Sequence, residues 1–293
     1  MPGPVATPPN DGLDTSPRPC ATRASLLRHA LAGFRDLFPA ARTIIGVIHL
    51  PALPGYVQSP GLDAVVAKAL ADQAALEAGG ADGVLVENED DRPRRLLAGV
   101  ETTACMTRVT SELVRAARRA VVGIEILLND PEASLAVALA AGARFIRTDY
   151  FVDPMERPEY GAMRIDPAGL MAYRRRLGAD VLVLADIQVK YARMTVERTL
   201  AQSAALAREH GADAVIVSGQ ATGDPPTPAD AASAKQGAGD LPVLTGSGLD
   251  AANAPVLLSA CDGAVVGTSL KQGAYIAVDR VKAVVEVARR FDP

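Results

Sequence analysis

Tryptophan is absent from the chain, aromatic residues make up only 4%, and there are three cysteines, Cys20, Cys105 and Cys261. So few rings exclude a base-stacking platform for nucleic acid. The charge balance agrees: the formal net charge is −4, with no dense basic run to neutralise phosphates. No nucleic-acid partner is expected. The cysteines are too few and too widely spaced for a disulfide framework or a zinc site, and they suit a reducing cytoplasm, the expected location. Although 49% of the residues are apolar, no run approaches the roughly 18–20 uncharged residues that cross a bilayer. No transmembrane segment is expected. There is also no G-x-G-x-x-G after a strand, no P-loop, no H-E-x-x-H helix and no G-x-S-x-G elbow, which removes the commonest nucleotide, zinc-protease and serine-hydrolase chemistries.

What is present is a repeated junction in which a helical segment ends in Gly with Ala or Asp and an apolar β-forming run follows. Gly80-Ala81-Asp82-Gly83-Val84-Leu85-Val86 and Gly211-Ala212-Asp213-Ala214-Val215-Ile216-Val217 are the clearest copies. Weaker copies begin at Gly142, Gly178 and Cys261, and Ile44 to Ile48, Val121 to Leu128 and Pro242 to Thr245 bring the strands to eight. Glycine caps helices because it enters the left-handed region cheaply, and short apolar runs without alternation are strands buried on both faces. Amphipathic segments such as 63–78, 103–119, 131–141, 167–177, 196–210, 228–236, 251–259 and 279–290 lie between or after them. Eight βα units predict an α/β fold, a closed (β/α)8 TIM barrel, in preference to an open doubly wound sheet. Residues 1–22, rich in proline, read as a disordered leader, and 23–293 as one barrel domain. The segment Leu26 to Phe38 predicts an extra N-terminal helix over the barrel bottom. The long connection Tyr150 to Asp166 reads as a lid or an interface.

Parallel barrels bind ligands where the strands end, so the residues at which each apolar run turns polar are the candidates. These are His49, Glu87 with Asn88, Asn129, Arg147 with Asp149, Asp186 with Gln188 and Lys190, Ser218, Gly246-Ser247-Gly248 and Gly267-Thr268-Ser269. The last two loops follow the seventh and eighth strands, where backbone N–H groups of phosphate-binding barrels meet the anion, and glycine lets the backbone come close. Ordinary tight βα turns would look the same, and Lys271 nearby is either a charge contributor or a solvated lysine.

A two-residue period puts Leu182, Leu184, Asp186, Gln188 and Lys190 on one face, with Glu125 beside Asn129 and Arg147 beside Asp149 on the neighbouring strands. Polar groups on these faces belong in the barrel mouth, because burial beneath the helices would leave them desolvated. Two readings stand: a structural network in which Arg147 and Lys190 neutralise Glu125, Asp149 and Asp186, or a catalytic set. In the second, Asp186 or Glu87 is a general base or metal ligand, Lys190 a cationic stabiliser or Schiff-base amine, and His49 an imidazole fixed at the mouth by the turn that follows it. Hard oxygen ligands would suit Mg²⁺, though no spacing demands a metal.

The stretches Ile45-Gly46-Val47-Ile48-His49-Leu50-Pro51-Ala52-Leu53-Pro54-Gly55 and Gly80 to Asn88 resemble the opening of the BtpA/SgcQ family. Phe145-Ile146-Arg147, Ala185-Asp186-Ile187-Gln188-Val189-Lys190 and Thr245-Gly246-Ser247-Gly248 to Lys271 extend the resemblance from about residue 42 to the C-terminus. It implies a TIM barrel and makes His49, Glu87, Asn88, Arg147, Asp186 and Lys190 site positions, without implying a particular reaction. The family pattern has Asn where this chain has Asp149, so no role for Asp149 follows from it. The family's namesake is linked to photosystem I biogenesis at the thylakoid membrane, and some members occur beside sugar-utilisation genes. Two functions are therefore expected to compete. One is an isomerase or lyase acting on a small phosphorylated, sugar phosphate-like molecule. The other is a non-catalytic assembly factor associating peripherally with a membrane complex. A homo-oligomer is the expected assembly.

Overall fold

The computed structural model describes residues 33–292. The 1–22 leader and the part of the leading helix before residue 33 lie outside the described residues. Eight parallel strands close into a barrel: β1 (Thr43–His49), β2 (Gly83–Glu87), β3 (Val121–Glu125), β4 (Phe145–Thr148), β5 (Leu182–Ile187), β6 (Ala214–Val217), β7 (Val243–Thr245) and β8 (Gly263–Val266). Closure is made by β1 against β8, with Thr43 opposite Gly263, which excludes the open sheet. Helices α1 (Leu62–Gly79), α2 (Val100–Ala116), α3 (Pro131–Ala141), α4 (Pro167–Leu177), α5 (Leu200–Glu209), α6 (Pro228–Ala238), α7 (Ala254–Ala260) and α8 (Val278–Arg289) follow the strands in turn. Among the described residues no helix is long and apolar enough to cross a membrane.

The expected glycine punctuation is realised after α1, where Gly80 at φ +98° caps the helix and turns the chain into β2. Burial then sorts each strand by alternation. Ile45, Val47, Leu85, Phe145, Leu182, Leu184, Ile216, Leu244 and Val265 form one apolar cluster inside the barrel, while Ile44, Val84, Ile146 and Val183 pack in the larger cluster with the helices. Phe34 and Phe38, from the short helix Phe34–Leu37 and its C-cap, join the inner cluster, with Phe38 edge-on to Phe145 at 5.7 Å. The described part of the leading segment thus closes the lower end of the barrel. Gly123 leaves the space that the Phe145 ring fills, since a Cβ there would lie 2.3 Å from it.

Two boundaries differ from the sequence reading for local reasons. β3 stops at Glu125 rather than Leu128, because Ile126 N–H donates to Ser134 Oγ and Leu127 N–H to Asn88 Oδ1 in place of ladder partners. Helix α5 starts at Leu200 rather than Val196, where Thr199 and Gln202 form a capping box. The long connection after β4 is not structureless. Met155–Arg157 pairs antiparallel with Gly161–Met163 and with Arg193–Met194 from the loop after β5. This small sheet packs through Met155 and Met163 on Leu128, Tyr150 and Val189 and walls one side of the mouth.

Candidate functional site

Followed inward and upward, the alternation that fills the barrel ends in charge on five strands and in glycine on two. Ile45 and Val47 lead to His49, Leu85 to Glu87, Gly123 to Glu125, Phe145 to Arg147 and Leu184 to Asp186, whereas β7 leads to Gly246 and β8 to Gly267. Strand register sets His49 beside Glu87 and Glu87 beside Glu125. Above this layer opens a cavity of about 260 Å³, lined by His49, Glu87, Glu125, Arg147, Asp149, Lys190 and both glycine-rich loops. Its volume exists partly because one inward position carries no side chain. A Cβ on Gly267 would lie 3.1 Å from the His49 ring, while one on Gly246 would collide with Ile216 and Ser218 at 2.4 and 2.6 Å, so glycine there lets β7 pack against its neighbour.

Arg147 is the hub. Its Nε and one terminal nitrogen bond the two Asp186 oxygens at 2.7 and 2.9 Å, its other terminal nitrogen reaches Glu87 at 3.2 Å, and Glu125 lies 3.6 Å from Nε. Asp186, 1% exposed, sits beneath the lining and also receives Ser218 Oγ at 3.4 Å. Glu87, Glu125 and Asp186 thus surround Arg147, and carboxylates crowded in a low-dielectric site raise one another's proton affinity. The outcome at each carboxyl follows from position. Burial opposes ionisation of Glu87, yet the Arg147 charge outweighs it and holds its carboxyl below the usual range. Glu125 is pushed well above that range by burial, with Asp149, Glu87 and Asp186 adding to the effect against Arg147. Asp149, at the cavity wall, is pushed up to about 7 by desolvation and by the Asp186 charge. The site therefore holds one carboxyl with lowered proton affinity, one with strongly raised affinity and one shifted to about 7, a division suited to acid–base chemistry.

His49 is held from three sides. Lys271 Nζ contacts its Nδ1, Lys68 Nζ bonds its carbonyl at 2.8 Å, and Nε2 lies 3.7 Å from Glu87. An ammonium only donates, which assigns the imidazole proton to Nε2, on the Glu87 side. Burial, reinforced by Lys271, lowers the His49 pKa and keeps the ring neutral. Lys271 is accordingly a half-buried partner of His49 rather than a solvated surface lysine.

In the loop after β7, Gly248 is at φ +66°, with the Pro225 nitrogen only 2.3 Å from where a Cβ would stand. Ser247 Oγ bridges the loops by accepting from Gly219 N–H and donating to the Asp224 carbonyl, and Ser269 Oγ donates to the Leu249 carbonyl. These hydroxyls are structural. Both loops line the cavity, and the Thr268 and Ser269 amides at the start of the short turn Thr268–Leu270 have no acceptor among the described residues.

In three places the geometry differs from the pattern read in the sequence. Gln188 leaves the inward face at φ +48° and its amide bonds the Arg198 carbonyl and Ser203 Oγ under α5, so the face of β5 breaks after Asp186. Asn88 and Asn129 do not line the cavity: Asn88 bonds Asp91 and the Leu127 backbone, and Asn129 bonds the Arg164 carbonyl. The metal reading finds no donor set, since among the described residues no three His, Cys, Asp or Glu side chains converge on one point, and the Arg147 guanidinium fills the space between the carboxylates. Sequence reasoning passed over Arg94, Arg157 and Tyr191, which line the cavity from loops without periodicity.

Residues 40–290 match the BtpA family model. The chain belongs to the BtpA family. Among its relatives are the photosystem I biogenesis protein BtpA of Synechocystis, 38% identical over 86% of this chain and 90% of that one, and an Archaeoglobus fulgidus protein, 37% identical over 85% and 99%. Solved structures with the same fold include GGGPS of Thermoplasma volcanium at TM-score 0.58 and 13% identity, covering 88% of this chain and 96% of that one. A 3-hexulose-6-phosphate synthase has TM-score 0.54 at 16% identity, covering 84% and 99%. A thiamine phosphate pyrophosphorylase of Pyrococcus furiosus has TM-score 0.55 at 15% identity, covering 85% and 96%. At these identities the structures establish the shared TIM-barrel fold and nothing finer.

Proposed function

We propose that this BtpA-family barrel is an enzyme that binds a small phosphorylated, sugar phosphate-like metabolite and moves a proton on it, in an isomerisation or a carbon–carbon cleavage. One observation carries the reading: the glycine-rich loops and carboxyls with divided proton affinities line a single cavity. The phosphate sits against the Gly248 and Thr268–Ser269 backbone. Asp149 takes the proton, Glu125 supplies one, and Arg147, Lys190 and neutral His49 stabilise developing negative charge. Several solved neighbours named for phosphorylated compounds, among them the hexulose-phosphate synthase, support the phosphate part.

The test is thermal unfolding with inorganic phosphate and a sugar-phosphate panel. A ligand at 100 times its Kd adds about 2.7 kcal/mol, so Tm should rise by several degrees. Gly248→Asp would be a poor control, since that site takes no Cβ. Thr268→Asp changes an exposed side chain beside the free amides and should abolish the rise at unchanged basal Tm. No rise with any phosphorylated probe would overturn the proposal.

A second reading, an assembly factor for a membrane complex, is favoured by the name of the Synechocystis relative and by Val57, Leu97 and Val100, apolar and exposed on the segments after β1 and β2. Biological activity that survives Lys190→Ala and Asp186→Ala but not charged substitutions at those three positions would select it.

A further inference from the structure

The cavity wall that faces the glycine-rich loops carries two arginines. In a closed ring of eight strands, the loop after β3 stands opposite the loop after β7, and the loop after β4 opposite the loop after β8. Arg94, from the loop after β2, and Arg157, from the loop after β4, flank β3 and so line the wall across from the glycine-rich loops. Glu87, Glu125 and Arg147, from β2, β3 and β4, line the floor, and Arg147 reaches on to Asp186 of β5.

Both arginines are only partly used. Arg94 gives one terminal nitrogen to Glu89, at 2.6 Å from the carboxylate and 3.0 Å from the carbonyl, while its buried Nε has no acceptor. The buried Arg157 Nε likewise has no hydrogen-bond acceptor, its nearest carboxylate being the exposed Glu159 at 3.4 Å. Arg157 is also aimed. Its guanidinium lies 5.8 Å from the Tyr160 ring and 5.6 Å from the Tyr191 ring, and a terminal nitrogen reaches Tyr150 Oη at 3.5 Å. Tyr150 and Tyr191 hold left-handed backbone at φ +56° and +63°, and the Tyr191 hydroxyl accepts the Thr222 amide at 2.7 Å. Non-glycine residues keep such conformations only where their surroundings enforce them, often at ligand clamps. A planar fork with free donors, held between rings, fits a carboxylate or phosphate.

We infer that the substrate carries two anionic groups, a phosphate at the glycine-rich loops and a second phosphate or carboxylate held by Arg94 and Arg157. This deepens the proposed function and rests on it. A doubly anchored substrate spans the floor, which places its central carbons over Glu125 and Asp149. Single anchoring would leave the reacting carbons free to swing away from both carboxyls.

The test is calorimetric titration of the full chain with ribose 5-phosphate, 3-phosphoglycerate and fructose 1,6-bisphosphate. At least one doubly anionic probe should bind about tenfold or more tighter than ribose 5-phosphate. The advantage should vanish in Arg157→Gln and in Arg94→Gln, with ribose 5-phosphate affinity unchanged within about threefold. Preference for 3-phosphoglycerate identifies the second group as a carboxylate, and preference for the bisphosphate identifies it as a phosphate. Arg157→Lys, which keeps charge and loses the fork, should retain part of the advantage and guards against a misfolded glutamine variant. Equal binding of all three probes, or an advantage that survives both glutamine variants, overturns this inference and leaves the phosphate reading intact. Binding of none overturns both.

Discussion

Replacing Arg147 with alanine should cost about 3–5 kcal/mol of stability at pH 7, the range for breaking a buried ion pair by removing one partner. Total stability of a folded domain is only about 5–15 kcal/mol, so urea unfolding should show a large drop in midpoint. The cause is what remains: Asp186, 1% exposed, loses the partner that meets both of its oxygens, and Glu87 loses the charge that holds it ionised. The sign with pH follows from Glu87. A carboxyl held below its unfolded pKa stabilises the fold above that unfolded value, and the contribution disappears as pH falls through the folded pKa. The gap between wild type and variant should therefore narrow toward acid, where protonated carboxyls need no cation. Arg144→Ala is the control, since Arg144 pairs with Asp180 where both side chains are about half exposed. Such pairs contribute at most about 1 kcal/mol. Equal effects of the two substitutions would mean that Arg147 is not the hub.

Asp149→Asn should stabilise the protein at pH 8 and leave it nearly unchanged at pH 4.5. With its pKa raised to about 7 by desolvation and by Asp186, Asp149 favours the fold while protonated. For a raised pKa the contribution is complete below the unfolded value, near 3.9 for aspartate, and is lost as pH rises through about 7. Asparagine has nothing to lose over that interval. The Tm difference, variant minus wild type, should grow between pH 5 and 8 by at least about 3 °C, given about 2–4 °C per kcal/mol in large domains. The same substitution removes the proposed base, so stability and proton transfer should move in opposite directions. A Tm difference independent of pH would place Asp149 in water, outside the network.

Most of the charged layer was legible because it obeys a rule that sequence carries. Strands buried on both faces alternate between barrel interior and helix layer, so the first polar residue on each inward series is a rim residue. That logic reaches His49, Glu87, Glu125, Arg147 and Asp186, and the two glycines at the ends of β7 and β8. It failed where the backbone leaves the period. Gln188 is turned out by a left-handed conformation that no residue-type pattern announces, and Asn88 and Asn129 turn to loop backbone, Asn88 accepting the Leu127 amide and Asn129 donating to the Arg164 carbonyl. Arg94 enters the cavity from an irregular segment and Arg157 from the small antiparallel sheet, while Lys271 reaches His49 from a short hairpin, and all three positions are set by tertiary contacts. The division of proton affinity between Glu87 and Glu125 was also invisible. It depends on which carboxylate Arg147 reaches at 3.2 Å and which at 3.6 Å.

The most direct measurement is a crystal structure of the protein grown with a sugar phosphate. Phosphate oxygens within hydrogen-bond reach of the Gly248 and Thr268–Ser269 amides, with ligand carbons extending over Glu125 and Asp149, are the predicted result. Ligand bound outside the barrel mouth, or a phosphate seated away from those amides, would contradict the account.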